Sequence, residues 1–311
     1  MTETNVPAIE LDNVTKRYGD VTALDQTSLT IKRGEIFGFL GPNGAGKTTV
    51  INLLLNFITP TAGTVRVLGR NAQHESLWIQ ERTGVLPEHS DVYDRLTGWE
   101  HIELAIESKN AADNPQEILD RVGLVDNAGR RAGSYSKGMA QRLLLGMAIV
   151  GSPDLLILDE PTTGLDPAGA QQVRELAIAE NARGATVFFS SHILSQVEAV
   201  CDRVGILHEG TLVTEGSPDS LREATADRTL TVTVDSIPDG VLHSIRQLSG
   251  VSDVTVDDLT LTITHTDVAE TEILNTLENA GASLETFSTD SDSLENLFLS
   301  YTREEVEERS P

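Results

Sequence analysis

The sequence predicts an α/β fold with a largely parallel sheet, followed by a smaller α+β domain. Three observations predict this organisation. A short apolar run at residues 35–40 is followed by a glycine-rich loop and a helical stretch. Two further apolar runs, at residues 155–159 and 185–190, have the near-continuous hydrophobicity of buried parallel strands. After a turn at residues 215–219, shorter alternating segments replace these runs.

The glycine-rich loop matches a phosphate-binding pattern at every fixed position. It reads Gly41, Pro42, Asn43, Gly44, Ala45, Gly46, Lys47, Thr48, Thr49. Glycines let successive backbone N–H groups face an anion, and the helix that follows adds the partial positive charge of its N-terminus. We expect Lys47 to reach the β- and γ-phosphates and the Thr48 hydroxyl to bind Mg²⁺. The loop therefore predicts a nucleoside triphosphate site. The alternative is a glycine-rich turn that binds nothing.

Chemically useful side chains follow the two later apolar runs. Asp159 and Glu160 end one run, and His192 follows the other. In open α/β sheets, ligands bind at the carboxyl ends of the strands. We expect Asp159 to hold Mg²⁺ through water, Glu160 to polarise an attacking water, and His192 to act in catalysis or γ-phosphate sensing. The alternatives are a strand that ends in solvated acids and an ordinary capped or core histidine.

Two further positions carry weaker signals. Tyr18 lies before the phosphate loop, where its ring could stack on a nucleobase or pack in the turn predicted at residues 16–20. Ser136 and Gly138 stand at the start of an apolar helix and could offer N–H groups to an anion. Ser136 could equally be an ordinary N-cap. From the residues alone, both questions stay open.

The second domain is predicted by a regular alternation of short segments. Strands are expected at 229–235, 251–256, 259–264 and 283–288, and helices at 241–248, 268–280 and 293–302. The order βαββαβ, with a last helix added, is that of a ferredoxin-like unit. No catalytic group of residues stands out in this part of the sequence. We therefore divide the chain into domains at 1–222 and 223–311.

The composition of the 311-residue chain restricts its partners. It has 48 Asp and Glu residues against 23 Lys and Arg, which gives a net charge of −25. Such a field opposes nucleic acid binding. It also indicates a halophilic protein, because molar salt shortens the Debye length to ~3 Å. The single cysteine, Cys201, excludes an internal disulfide.

The same sequence gives no sign of its own membrane anchor. No apolar run approaches the ~20 residues that a spanning helix needs. The first residues have neither the basic start nor the apolar stretch of a signal peptide. We therefore expect a cytoplasmic protein whose membrane role comes through a partner.

Residues 7 to about 220 resemble the nucleotide-binding subunit of ATP-binding cassette (ABC) transporters, because the motifs occur in that family's order and spacing. The corresponding segments are Walker A at 41–48, the signature at 135–139, Walker B with its glutamate at 155–160, the D-loop at 164–166 and the switch histidine at 192. The resemblance implies a P-loop NTPase fold with a helical subdomain. It also implies that Tyr18 stacks on adenine and that Asp166 lies near the nucleotide.

The sequence departs from the family pattern at two places. The signature keeps Ser136 and Gly138 but has Tyr, Lys and Met at its other positions. The glutamine of the Q-loop is replaced by Glu88. A carboxylate can contact Mg²⁺ or its water, but it donates no hydrogen bond unless it is protonated.

The resemblance implies an ATPase that works as a head-to-tail homodimer. ATP would lie between Walker A of one subunit and Ser136–Gly138 of the other, with Mg²⁺ held near Thr48, Asp159 and Glu88. Lys47, Glu160 and His192 would be the catalytic residues. The dimer would drive a separate multi-span permease at the inner face of the cell membrane, through a groove near residues 88–97. Residues 293–298 resemble the end of the accessory domain found on ABC-2 type exporter ATPases.

Two other classes of function compete with this interpretation. A soluble ABC ATPase in DNA repair would need a long coiled coil between Lys47 and Ser136, and the intervening stretch is too short for one. A translation ATPase usually carries two such cassettes, and this sequence has one. A regulatory binder without hydrolysis is opposed by the intact set of Lys47, Asp159, Glu160 and His192. Nothing in the sequence selects a cargo.

Overall fold

The chain separates into two units between Ser217 and Pro218. The computed structural model describes residues 6–224, 228–238, 240–265 and 270–291. The helix predicted at 293–302, and with it the resemblance at 293–298, lies outside the described residues. The separation follows residue 217, whereas the sequence predicts it after residue 222. The difference arises because the short helix at Pro218–Ala224 belongs to the second unit.

The first unit contains an antiparallel sheet and a mostly parallel sheet. Its strands are β1 (Ile9–Tyr18), β2 (Val21–Ile31), β3 (Ile36–Leu40), β4 (Ala62–Val67), β5 (Arg70–Asn71), β6 (Thr83–Leu86), β7 (Leu155–Asp159), β8 (Thr186–Ser191), β9 (Arg203–His208) and β10 (Thr211–Gly216). The antiparallel sheet has the order β2-β1-β4-β5, and the other sheet has the order β10-β9-β3-β8-β7-β6. In the second sheet, only β10 runs antiparallel to its neighbour.

This order places β3, β8 and β7 side by side in the middle of the parallel sheet. All three strands are fully buried, which agrees with their continuous apolar sequences. Phe39 of β3 packs on Phe188 of β8, with the ring centroids 5.2 Å apart. Because the strands are parallel neighbours, their carboxyl ends share one edge of the sheet.

The turn predicted at residues 16–20 is shorter than expected. β1 continues through Lys16 and Tyr18, which pair with Leu24 and Val21 of β2. The turn is confined to Gly19 and Asp20, and Gly19 has a φ of 61°. The pairing with β2 extends the strand, and local composition does not reveal that pairing.

The first unit contains seven α-helices within the described residues. They are α1 (Lys47–Leu54), α2 (Ser76–Glu81), α3 (Gly98–Lys109), α4 (Pro115–Arg121), α5 (Lys137–Ala148), α6 (Pro167–Ala182) and α7 (Leu194–Glu198). Four of them, α3, α4, α5 and α6, begin at a side-chain cap. Thr97 and Glu100 form a capping box at α3, and Asn114 caps α4. Helices α3, α4 and α5 pack on one another and form a helical subdomain.

The second unit has the element order βαββαβ after its first helix. Its elements are α8 (Pro218–Ala224), β11 (Arg228–Val234), α9 (Val241–Arg246), β12 (Val251–Asp257), β13 (Thr260–His265), α10 (Glu270–Asn279) and β14 (Leu284–Ser291). The sheet is antiparallel, with the order β12-β13-β11-β14. Leu230, Val232, Leu261 and Ile263 are buried with the apolar residues of α9 and α10. Threonines at 229, 231, 233, 260, 262 and 264 alternate with them.

No helix within the described residues combines the length and apolar character needed to cross a membrane.

Candidate functional site

The phosphate loop joins β3 to α1 and is shaped by two glycines. Gly44 and Gly46 have φ angles of 87° and 110°, a region that residues with a Cβ rarely adopt. A Cβ at residue 46 would also lie 2.7 Å from the carbonyl oxygen of Ala23. Gly46 precedes α1, and no side chain caps this helix. The first N–H groups of α1 are therefore free of a capping side chain and fit an anion.

Lys47 is the first residue of α1, and its side chain is buried. Its Nζ donates a hydrogen bond of 2.6 Å to the carbonyl oxygen of Gly41. The same Nζ lies 3.4 Å from Oε1 of Glu160. The helix start therefore places its cation between the phosphate loop and the end of β7.

Asp159 ends β7 beside Ser190 of β8, to which it is paired in the parallel register. The Ser190 hydroxyl donates a hydrogen bond of 2.5 Å to Oδ1 of Asp159. Burial raises the pKa of Asp159, and the negative charges of Glu88 and Glu160 raise it further. The hydrogen bond from Ser190 and the charge of Lys47 act in the opposite direction. Asp159 is thus a buried carboxylate whose surroundings carry more negative than positive charge.

Glu160 follows Asp159 with an unusual backbone. Its φ is 48°, in the left-handed region, and its N–H donates to both oxygens of Ser190 at 3.1 and 3.2 Å. Thr163 donates to Oε2 of Glu160 at 3.1 Å, and Nδ1 of His192 lies 2.9 Å from the same atom. The other oxygen, Oε1, is buried and makes no hydrogen bond within the described residues. The carboxylate is therefore fixed through Oε2, while Oε1 lies 3.4 Å from the Lys47 ammonium.

One cavity of about 480 Å³ unites most of these groups. Its lining residues are Ala23, Pro42, Asn43, Gly44, Gly46, Lys47, Thr48, Thr49, Glu88, His89, Asp159 and Glu160. The volume is within the usual range for small-molecule sites. A neighbouring cavity of about 670 Å³ shares Glu88, His89 and Glu160 with it and extends to Lys137 and Thr163.

The oxygen-bearing side chains of this cavity fit a magnesium ion. Thr48, Asp159 and Glu88 supply one hydroxyl and two carboxylates. Mg²⁺ prefers oxygen ligands and commonly uses one or two carboxylates together with substrate phosphates. The surplus negative charge around Asp159 is the electrostatic setting in which a cation binds favourably.

Several of the predicted site residues lie outside the lining of this cavity. Tyr18 is 47% exposed, and the Lys16 ammonium lies 4.9 Å from the centre of its ring. Ser136 caps α5 by accepting a hydrogen bond from the N–H of Met139, and a Cβ at Gly138 would meet no atom within 4 Å. Asp166 caps α6 through the N–H of Gly169. The remaining three are Gly41, which accepts from Lys47, Ala45, whose carbonyl accepts from Gly210, and His192, which reaches the site through Glu160.

Sequence reasoning missed two residues that hold the carboxylates. Ser190 bonds to both Asp159 and Glu160, and Thr163 bonds to Glu160. The signal for Ser190 was its place at the end of β8, two residues before His192. A polar residue at that place in a buried strand needs a partner, and the neighbouring strand supplies one.

The ABC transporter family matches residues 24–163. Over 304 residues the chain is 32% identical to a linearmycin resistance ATP-binding protein of Bacillus subtilis, covering 94% of this chain and 98% of that protein. This chain belongs to the ATP-binding subunits of ABC transporters. Membership in this family, together with the ABC ATPase fold, makes it an ATPase.

Other relatives agree with this assignment. A daunorubicin resistance ATP-binding protein of Streptomyces coeruleorubidus is 33% identical, over 95% of this chain and 96% of that protein. An uncharacterised ABC transporter ATP-binding protein of Nostoc sp. is 45% identical over 65% of this chain, and the match spans only 62% of that protein. The solved structure of an ATP-binding subunit of an ABC transporter superposes with a TM-score of 0.63 at 28% identity. It covers 70% of this chain and 92% of that one. The predicted ABC family and the α/β P-loop NTPase fold are confirmed.

Proposed function

We propose that this ABC ATPase powers an exporter as a head-to-tail homodimer docked on a separate multi-span permease. The observation that carries the proposal is the position of Glu160, which lies between Lys47 at the end of the phosphate loop and His192. Similarity over nearly the whole chain to two drug-resistance ATP-binding proteins supports the direction of export.

In the proposed reaction, the phosphate loop and α1 bind the β- and γ-phosphates through backbone N–H groups. Lys47 moves its ammonium from the Gly41 carbonyl to the phosphates, where it stabilises the developing charge. Oε1 of Glu160 accepts a proton of the water that attacks the γ-phosphorus in line. As the water oxygen bonds to phosphorus, the bond from phosphorus to the β–γ bridging oxygen breaks, so that ADP leaves and inorganic phosphate is released. His192 holds Oε2 and stabilises the charge that develops on the γ-phosphate. Mg²⁺, when bound at Thr48, Asp159 and Glu88, neutralises charge on the phosphate oxygens.

The proposed dimer explains the residues that lie outside their own subunit's cavity. Ser136 and Gly138 stand at the exposed start of α5, where their N–H groups would bind the γ-phosphate of ATP held by the partner subunit. Asp166 would lie at the same interface. Tyr18, which is half exposed, would stack on adenine.

A groove beside the helical subdomain is the proposed docking site for the permease. It has a volume of about 510 Å³, and its lining includes Val85, Tyr93, Leu104, Lys109 and Met147. Unlike the cavity at the phosphate loop and the cavity beside it, this groove is lined by no carboxylate. An apolar helix of the permease fits this lining, and docking would place the protein at the inner face of the cell membrane.

Residues 223–311 are proposed as an accessory domain of the ABC-2 exporter type. The order βαββαβ and the sheet order β12-β13-β11-β14 support a ferredoxin-like fold for it. Residues 1–222 would then be the ATP-binding domain.

Purification of the tagged protein from its own membranes, followed by mass spectrometry, tests the transport proposal. We expect a stoichiometric multi-span protein. Recovery of ribosomes or of soluble partners alone would overturn transport and favour the soluble ABC ATPase, while leaving ATP hydrolysis in place.

The halophilic character is a separate proposal, which rests on the net charge of −25. Screening should relieve repulsion among the carboxylates. The melting temperature should therefore rise between 0.1 and 3 M KCl. A melting temperature that falls over this range would contradict the proposal.

A further inference from the structure

Glu88 lies shortly after the end of β6, at the rim of the phosphate-loop cavity. It lines this cavity together with Thr48 and Asp159, and it also lines the neighbouring one. Its side chain is 37% exposed, and Oε2 lies 3.5 Å from Nδ1 of His89. The carboxylate therefore borders the position where the phosphates and their cation are expected.

The charges in the cavity are unbalanced. Its lining contains three carboxylates, on Glu88, Asp159 and Glu160, and Lys47 is the one Lys or Arg side chain in it. The lysine is already shared with Glu160, from which it lies 3.4 Å.

A glutamine at position 88 would offer the same shape without the charge. The triphosphate of ATP is itself an anion, so each carboxylate at the rim opposes nucleotide that arrives without a cation. A divalent cation between the phosphates and the carboxylates reverses the sign of this effect, because it is attracted to both. Glutamate in place of glutamine thus changes how strongly the binding of nucleotide depends on bound metal, and how strongly the binding of metal depends on bound nucleotide.

We propose that Glu88 makes nucleotide binding dependent on a divalent cation, since its carboxylate repels metal-free nucleotide and helps Asp159 and Thr48 to hold the metal. The proposal rests on the nucleotide site proposed above. It concerns binding and does not require hydrolysis.

The test compares nucleotide affinity with and without metal. Binding of the non-hydrolysable analogue AMP-PNP is measured by calorimetry in Mg²⁺ and in EDTA, for the wild type and for Glu88→Gln. The ratio of the two dissociation constants, EDTA over Mg²⁺, should be smaller in the variant by about tenfold, which corresponds to ~1.4 kcal/mol of coupling. Because linkage is reciprocal, the ratio of the metal dissociation constants measured without and with nucleotide should be smaller in the variant by the same factor.

Asp91→Asn is the matched control. Asp91 lines only the neighbouring cavity, and its replacement removes the same unit of charge three residues away. Its ratio should equal that of the wild type. An equal decrease of this ratio in both variants would show a general charge effect and overturn the proposal. An unchanged ratio in Glu88→Gln would also overturn it.

The outcomes also separate this proposal from the nucleotide site itself. A wild type that fails to bind AMP-PNP even with Mg²⁺ would overturn both. If Glu88→Gln does not fold, a titration of the wild type with Mn²⁺ alone, followed by electron paramagnetic resonance, decides the matter. Binding near 1 mM or tighter that is weakened in Glu88→Ala supports the metal-holding role of Glu88. No binding, or binding that Glu88→Ala leaves unchanged, overturns it.

Discussion

The two units of the chain bury apolar residues in similar ways but differ in what their sheets bring together. In the first unit, β3, β7 and β8 run parallel, so their carboxyl ends place Lys47, Glu160 and His192 at one edge. In the second unit, neighbouring strands run in opposite directions, and their ends are distributed over both edges. Both units have a hydrophobic core. The direction of the strands therefore determines which unit brings polar side chains together into a site.

Replacement of Glu160, the proposed base in the first unit, should have the largest effect on ATP turnover. Glu160→Gln removes the proton acceptor but keeps the shape, so ATP turnover should fall by about 10³-fold or more. ATP should still bind and should trap a dimer visible by size-exclusion chromatography. Turnover at the wild-type rate would show that Glu160 is not the base.

A cavity in the second unit should reduce its stability without touching the chemistry. Ile263→Ala removes a fully buried side chain and should cost about 2–5 kcal/mol of unfolding free energy. ATP hydrolysis per folded molecule should be unchanged. Thr262→Ala, on the opposite face of the same strand, is the control and should change stability by less than about 0.5 kcal/mol. A loss of turnover in the folded Ile263→Ala protein would show that the units are functionally coupled.

Ser190→Ala tests whether the hydrogen bonds of Ser190 to Asp159 and Glu160 are needed at the edge of the parallel sheet. The variant removes the hydrogen bonds that orient Asp159 and support Glu160. Metal affinity or turnover should fall about 10- to 100-fold, as is usual for groups that orient metal ligands. Ser191→Ala serves as a control on the same strand. Equal effects of the two variants would mean that the loss reflects disturbed packing of β8.

The smallest expected effect concerns the pH dependence of stability. The folded pKa of Asp159 is raised above its ordinary value, so the charged carboxylate opposes folding once pH exceeds that ordinary value. Asp159→Asn keeps an oxygen for Ser190 and removes the charge. The variant should therefore melt at a higher temperature than the wild type at pH 7, and this advantage should disappear as pH falls below the unfolded pKa of aspartate. An advantage that persists at low pH would assign the effect to packing.

The site could be predicted from the sequence to the extent that it depends on chain-local patterns. The phosphate loop follows from its glycines, and Glu160 and His192 follow from their places after buried runs. The role of Ser190 could not be predicted, because it depends on the register in which β7 meets β8. The extent of β1 through Tyr18 depends in the same way on its pairing with β2. Cross-strand register is a property of the assembled sheet.

The left-handed backbone at Glu160 has a consequence for protein engineering. A residue with a side chain at a φ of 48° holds strain that glycine would release and asparagine would tolerate better. Selection for heat resistance alone would therefore favour Glu160→Gly or Glu160→Asn. The recovered proteins would be thermostable but would lack ATPase activity. A thermostable version of this ATPase has to be sought with turnover as a second criterion from the first round.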